Sequence, residues 1–138
     1  GNTEVGVDVE KIRQKSTYKN ITNRFFTEEE RNYIYSVDKE VEERRQFTRI
    51  WTLKESYLKY LGVGLKKDLS SFSFQVESEK EAVLCDMQNE KADTLQFYSY
   101  FLEKEYVLSV CSQKCKIEIE EIDKILLQEK IFNAVKII

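Results

Sequence analysis

The sequence predicts an α+β domain in which an antiparallel sheet lies against one long central helix. Three observations lead to this fold class. Short segments of alternating apolar and polar residues recur along the chain and predict strands. Residues 40–61 have helical periodicity and are followed by Gly62, which is typical of a helix C-terminus. The 138 residues contain no proline and only four glycines, without a linker-like stretch, so we expect one domain over residues 1–138.

The first strand is predicted over residues 3–10, T-E-V-G-V-D-V-E, where three valines share one face. Asp8 and Glu10 share the other face, with Cα atoms about 6–7 Å apart at the rise of a strand. Two carboxylates at this separation can reach one divalent cation. A half-exposed strand with a polar outer face gives the same pattern, so D-x-E alone is a weak indication of a metal site.

Two short helices are expected next, the first near residues 19–24 within a polar connection. Thr27, with a Glu three residues later, forms a capping-box sequence that predicts a second helix over residues 28–36. Its acidic first turn suits the helix dipole. We expect Phe25 and Phe26, just before the cap, to pack as a hydrophobic staple or in the core. Partner binding is the alternative, because aromatic residues also anchor interfaces.

The long helix at 40–61 carries charges on or beside its apolar side. Lys54 falls within the apolar stripe, and Glu55 lies at its margin one turn before Lys59. A lysine directed towards a core is costly unless its ammonium reaches water or a partner. Glu55 and Lys59 also form an i,i+4 pair, worth about 0.3–0.5 kcal/mol on an exposed face. These charges therefore either have a structural role or bind an anionic, metal-bearing ligand.

The second half of the chain predicts the rest of the sheet. Residues 71–77 alternate as a strand, and residues 81–87 are its expected hairpin partner. Residues 94–102 and 104–112 predict a second hairpin around an E-K-E turn. Residues 117–138 have near-helical apolar spacing, so we expect an amphipathic helix that covers the sheet or meets a partner.

The composition excludes several kinds of chemistry. The sequence has no histidine, which removes Ser-His-Asp and Cys-His catalysis and histidine-ligated zinc. Its three cysteines, Cys85, Cys111 and Cys115, form no C-x-x-C pair and are expected to be free thiols. Any catalysis must therefore use carboxylates and lysines, with or without a hard, oxygen-bound cation.

Charge and hydropathy indicate no nucleic-acid or membrane partner. The net charge of −3 provides no basic surface for wholesale nucleic-acid binding. No apolar segment approaches the roughly 20 residues that span a bilayer, and the first ten residues do not resemble a signal peptide. We therefore expect a cytoplasmic protein.

Three motifs, in this order, resemble the 4′-phosphopantetheinyl transferases: G-V-D-V-E, F-F-T-x-x-E and W-T-L-K-E-S-Y-L-K-Y-L-G-V-G-L. The resemblance covers residues 5–112, and its W-x-x-K-E-S-x-x-K block is far more specific than D-x-E. Within the superfamily the chain resembles the C-terminal half of the Sfp type, a pseudo-dimer of two similar halves. The small trimeric holo-acyl-carrier-protein synthases share the first strand and the K-E helix and are the alternative.

The resemblance implies transfer of 4′-phosphopantetheine from coenzyme A to a carrier-protein serine, with release of adenosine 3′,5′-bisphosphate. It implies that Asp8, Glu10 and Glu55 ligate Mg²⁺, which bridges to the pyrophosphate of coenzyme A. Glu55 would also receive the serine proton, directly or through a metal-bound water, and Lys59 would contact the phosphates. Lys54 would support the site or contact the coenzyme. The implied catalytic pair is Glu55 and Lys59.

The chain departs from the Sfp type in two respects. It lacks the histidine-containing motif of the N-terminal half, so the rest of the coenzyme pocket would come from a missing half or from a homo-oligomer. Ile12 stands where many relatives carry a polar residue. Two other hypotheses stay open: a catalytically incomplete module that docks a carrier protein through Arg24, Phe25 and Phe26, and an ordinary domain whose charges are only solvated.

Overall fold

The fold is described by a computed structural model, which covers residues 5–14 and 17–114. It confirms the α+β class, since five antiparallel strands form one sheet in the order β1-β5-β4-β3-β2, with the longest helix against one face. The elements are β1 (Val5–Lys11), α1 (Tyr18–Phe25), α2 (Glu28–Ile34), α3 (Glu40–Leu61), β2 (Ser73–Val76), β3 (Glu81–Cys85), β4 (Leu95–Leu102) and β5 (Tyr106–Gln113).

Strand β1 lies at an edge of the sheet and pairs only with β5, so that Asp8 is opposite Ser109. Its alternation is as predicted. The three valines pack on the face of the sheet that carries Leu108 and Val110. Gly6, Asp8 and Glu10 face α3 instead. Pairing with β5 places the acidic face of β1 beneath the central helix.

Helix α3 has the predicted bounds and supplies much of the core. Gly62 ends it in the left-handed conformation (φ 71°), and its N–H donates to the carbonyl oxygen of Leu58 at 2.9 Å. This is the geometry for which glycine is preferred at a helix C-terminus. The core on this side of the sheet includes Phe26, Phe47, Ile50, Leu53, Tyr57, Phe72, Phe74 and Phe97.

Helix α2 begins with the predicted capping box. The Thr27 hydroxyl accepts from the Glu30 N–H at 3.3 Å, and Glu30 Oε1 accepts from the Thr27 N–H at 3.0 Å. Phe26 is only 2% exposed and stacks on Phe47, so the core interpretation of Phe26 is confirmed and the docking hypothesis loses this residue. Phe25 is partly buried against the same core, with the Arg24 guanidinium over its ring.

Several boundaries differ from the predicted ones for local reasons. Helix α2 stops at Ile34, because Ser36 donates from both its N–H and its hydroxyl to the Tyr33 carbonyl oxygen. Strand β2 starts late, because Asp68 caps a 3₁₀ turn at Leu69–Ser71. The predicted helix at 117–138 lies outside the described residues, as does Cys115.

Two further expectations concern the thiols and the membrane. Cys85 and Cys111 are free, as predicted, and burial raises the pKa of the Cys111 thiol well above its usual range. Among the helices of residues 5–14 and 17–114, none combines the length and apolar character needed for a membrane span.

Candidate active site

The candidate site lies where one face of α3 crosses the acidic face of β1. Trp51, Glu55 and Lys59 follow one another at i,i+4 spacing and therefore share a stripe along the helix. Trp51 Nε1 donates to Glu10 Oε1 at 3.4 Å, and Lys59 Nζ donates to Asp8 Oδ1 at 2.7 Å. Glu55 lies one turn from each of these helix residues. Its negative charge interacts with the charges of Glu10 and Asp8 on the strand. The structure thus brings Asp8, Glu10, Glu55 and Lys59 together, and their functional roles stay predictions.

Gly6 allows this close approach of strand and helix. A Cβ atom at this position would lie 1.9 Å from the Ser56 carbonyl oxygen and 2.6 Å from the Tyr60 backbone nitrogen. Both are backbone atoms of α3, so the helix could not give way by a rotamer change. The glycine belongs to the G-V-D-V-E motif, but sequence reasoning assigned it no role. Its position inside a strand is the available signal, because such glycines often mark a close backbone approach.

The carboxylates of the site repel one another. Burial raises the pKa of Glu10, and the charge of Asp8 raises it further, against the hydrogen bond from Trp51. Burial also raises the pKa of Glu55, again with a contribution from Asp8, while Lys59 opposes the shift. Negative charge is therefore concentrated here beyond what Lys59 neutralises, and a bound cation would relieve the repulsion.

Asp8 provides a direct test of whether a hard cation fits this site. The residue is 5% exposed, and its second oxygen, Oδ2, is buried without a hydrogen-bond donor. An unsatisfied buried carboxylate oxygen is costly, and oxygen ligands from carboxylates are those that Mg²⁺ prefers. In the part of the chain that the structure describes, no three acidic, histidine or cysteine side chains converge as a ready-made metal site. The donor set fits Mg²⁺, but binding requires the carboxylates to draw together.

We predict that Glu10→Gln and Glu55→Gln each stabilise the fold at pH 7. Because the folded pKa of each carboxyl is raised, ionisation weakens the folded state above that pKa, and the penalty disappears as the pH falls below the unfolded value of 4.5. Both groups are partly exposed, so solvent screening limits the gain in the free energy of unfolding to about 1 kcal/mol or less. Thermal unfolding at pH 7 and at about pH 4 checks this.

The gain should be present at pH 7 and largely lost at about pH 4, where most of both carboxyl groups are protonated in the unfolded chain. Glu90→Gln, on an exposed loop, is the matched control and should change little. A loss of stability in both site variants at pH 7 would contradict the charge repulsion described here.

Lys54 does not join this site, and its full burial argues against the predicted contact with the coenzyme. Its Nζ lies 2.9 Å from Glu30 Oε1 and donates to the carbonyl oxygens of Leu69 and Phe72 at 2.5 and 2.7 Å. These three partners occupy all three N–H donors of the ammonium. Burial lowers the pKa of Lys54, and the Glu30 charge opposes that shift. Lys54 therefore ties α3 to α2 and to the chain entering β2.

Glu30 is the partner that sequence reasoning missed. The capping-box pattern explains only part of its role, since its Oε2 also accepts from the Phe74 N–H at 2.8 Å. The signal was the F-F-T-x-x-E motif itself, which pairs an apolar dipeptide with a glutamate that is fully buried here. A glutamate on the core side of a short helix and a lysine within an apolar stripe are a candidate ion pair.

Comparisons with known proteins agree on one family. A model of the 4′-phosphopantetheinyl transferase superfamily matches residues 4–111. The chain is 33% identical over 110 residues to the 4′-phosphopantetheinyl transferase psf-1 of Bacillus pumilus, a match that covers 80% of this chain and 45% of that protein. It is 29% identical over 108 residues to the 4′-phosphopantetheinyl transferase Sfp of Bacillus subtilis, covering 78% of this chain and 46% of that protein. The chain thus spans about half the length of these curated relatives.

The fold also resembles a solved structure. A holo-(acyl-carrier-protein) synthase from Bacillus anthracis, in complex with CoA (3′,5′-ADP), superimposes with a TM-score of 0.66 and 16% identity. The match covers 80% of this chain and 95% of that one. At this identity the likeness concerns the fold alone.

Proposed function

Because the chain belongs to the 4′-phosphopantetheinyl transferase superfamily, we propose that it carries the metal-binding and phosphate-binding part of an enzyme that transfers 4′-phosphopantetheine from coenzyme A to a carrier-protein serine. The single observation that supports this most is that Asp8 and Glu10 of β1 face the side of α3 that carries Glu55 and Lys59. No other group of charged residues in the described ranges combines a family motif with an orphaned carboxylate oxygen.

Asp8, Glu10 and Glu55 would hold Mg²⁺, and Asp8 Oδ2 would gain the partner that it lacks. When bound, the ion supplies positive charge that neutralises the pyrophosphate oxygens of coenzyme A. Lys59 would then divide its ammonium donors between Asp8 and a phosphate oxygen. Lysine suits this role, because its ammonium is a compact point charge with three donors.

Glu55 would act as the general base. The serine oxygen attacks the phosphorus that bears the pantetheine arm, the bond from that phosphorus to the bridging oxygen breaks, and adenosine 3′,5′-bisphosphate leaves. The serine proton passes to the Glu55 carboxylate. Helix α3 holds the Glu55 carboxylate in a fixed position, and general-base catalysis depends first on such geometry.

The rest of the coenzyme pocket would come from elsewhere, because the chain spans 45% and 46% of the two relatives described above. We propose a missing N-terminal half, as in a pseudo-dimer, with a homo-oligomer as the alternative. A cytoplasmic location is also proposed, since the free thiols Cys85 and Cys111 suit a reducing compartment.

The test incubates the chain with coenzyme A, Mg²⁺ and an apo carrier protein, and measures the mass of the carrier. We expect a gain of one phosphopantetheine arm. Glu55→Gln should lower the rate at least about 100-fold, the usual contribution of a general base. Glu40→Gln, on the exposed first turn of the same helix, is the control and should retain the wild-type rate. No mass gain at any protein concentration would count against activity of this chain alone.

A catalytically incomplete docking module is the second candidate, and the half-length match favours it. Calorimetric titration with Mg²⁺ and with coenzyme A separates the two. A docking module binds the carrier protein but neither of these ligands. An enzyme half binds Mg²⁺ through Asp8, and Asp8→Asn should abolish that binding while leaving carrier binding intact.

A further inference from the structure

A second polar cleft lies away from the candidate active site. It has a volume of about 700 Å³ and is bounded by the end of α2, the first half of α3, the β2–β3 turn and β4. We call it the arginine cleft. Its lining includes Arg45, Gln46, Arg49, Lys80 and Phe101.

Arg49 is a buried cation without a counter-ion among the described residues. It is 4% exposed, and its Nη2 donates to the Ser78 and Glu81 carbonyl oxygens at 2.8 and 3.4 Å. Nε is buried without an acceptor among residues 5–14 and 17–114. No carboxylate of these residues pairs with it. Since buried charges are normally paired, Arg49 has the capacity to bind an anion.

Arg45 supplies a second cation one turn earlier on the same side of α3. Its guanidinium lies 4.2 Å from the centroid of the Phe101 ring, which holds it over the cleft by a cation–π contact. Beside it the Gln46 amide donates to the Tyr33 carbonyl oxygen and fixes another part of the lining. Two guanidinium groups at adjacent turns can both donate hydrogen bonds to one planar anion.

The arginine cleft is separate from the Asp8–Glu55 site. Arg49 precedes Glu55 by six residues, which places it about 120° around α3. The lining of the arginine cleft includes none of the residues placed in the candidate active site. An anion bound in the arginine cleft would therefore be independent of the proposed transfer reaction.

The lining also indicates which anion would fit. Arg45, Arg49 and Lys80 are opposed by Glu42 and Glu79 at the exposed rim, so a singly charged ligand balances the cleft better than a multiply charged phosphate. Phe101, Tyr33 and Val41 add apolar surface. We propose that the arginine cleft binds a carboxylate with a small apolar body, held by the guanidinium groups of Arg49 and Arg45.

The test titrates the full chain with sodium benzoate, with the capped dipeptide acetyl-Phe-Glu-amide, and with inorganic phosphate, while nuclear magnetic resonance follows the arginine Nε–Hε signals. Saturable shifts of the Arg49 and Arg45 signals by either carboxylate support the proposal. Tighter benzoate binding identifies a free acid as the source of the carboxylate, and tighter dipeptide binding identifies a peptide side chain. The proposal is overturned if neither carboxylate gives a saturable shift, or if phosphate binds more tightly than both carboxylates.

Variants of three arginines on α3 make the test specific. Arg49→Gln should weaken carboxylate binding at least about tenfold, because a charge-assisted pair is lost. Arg45→Gln, at a less buried position, should weaken it in the same direction and keeps the test valid if Arg49→Gln folds poorly. Arg44→Gln is the control, since Arg44 contacts Glu40 and the Gln14 carbonyl oxygen outside the cleft. Unchanged binding in both cleft variants, or an equal loss in Arg44→Gln, refutes the assignment.

Discussion

Replacing Lys54 by methionine is expected to lower the free energy of unfolding by about 3–5 kcal/mol. The change removes the ammonium that lies 2.9 Å from Glu30 Oε1 and leaves a fully buried carboxylate without its counter-charge. The carbonyl oxygens of Leu69 and Phe72 lose a donor as well. Because domains of this size are stable by only about 5–15 kcal/mol, the loss would be a large fraction of the total.

Urea denaturation of the wild type, Lys54→Met, Glu30→Gln and the double variant measures this effect as a double-mutant cycle. The double variant should recover part of the stability, since the amide introduced by Glu30→Gln keeps one oxygen for the Phe74 N–H without a buried charge. Lys66→Met, at the exposed end of the 3₁₀ turn Gly64–Lys66 that follows α3, is the matched control and should change the free energy of unfolding little. A Lys54→Met loss no larger than that of the control would contradict the structural role of the ion pair.

Replacing Gly6 by alanine is expected to be comparably damaging and to disable the candidate site as well. The added methyl group would lie 1.9 Å from the Ser56 carbonyl oxygen, so β1 must move away from α3. Overpacking of a rigid contact costs about 1–3 kcal/mol, and more where backbone atoms must shift. The movement would carry Asp8 and Glu10 away from Glu55 and Lys59, so the proposed Mg²⁺ binding should weaken even if the domain still folds.

Gly62→Ala is the matched control, because it adds the same methyl group. A Cβ atom there meets nothing within 4 Å, so its cost is that of the left-handed conformation alone, about 1 kcal/mol. Thermal unfolding should show a larger loss for Gly6→Ala than for Gly62→Ala. Calorimetric Mg²⁺ titration should show weaker binding only in Gly6→Ala. Equal effects of the two substitutions on both measurements would refute the close-contact role of Gly6.

Local sequence signals determined the elements and the family. The bounds of α3 followed from its periodicity and from Gly62, and the capping box at Thr27 placed the start of α2. Strand alternation placed Asp8 and Glu10 on one face of β1, as the structure confirms. These features depend on neighbours within a few residues, so the sequence contains them directly. The motifs identified the superfamily for the same reason, and the family match over residues 4–111 confirms it.

Only the tertiary structure decided what faces each of these side chains. Periodicity placed Lys54 on the apolar side of α3, but its partner Glu30 is 24 residues away on another helix. The carbonyl oxygens that complete its shell lie further along the chain. The roles of Gly6 and Arg49 likewise depend on backbone that is distant in sequence. Gly6 lies against the backbone of α3, and Arg49 donates to the Ser78 carbonyl oxygen. A helical or strand period specifies the direction of a side chain, whereas its role depends on contacts that form only when distant segments pack together.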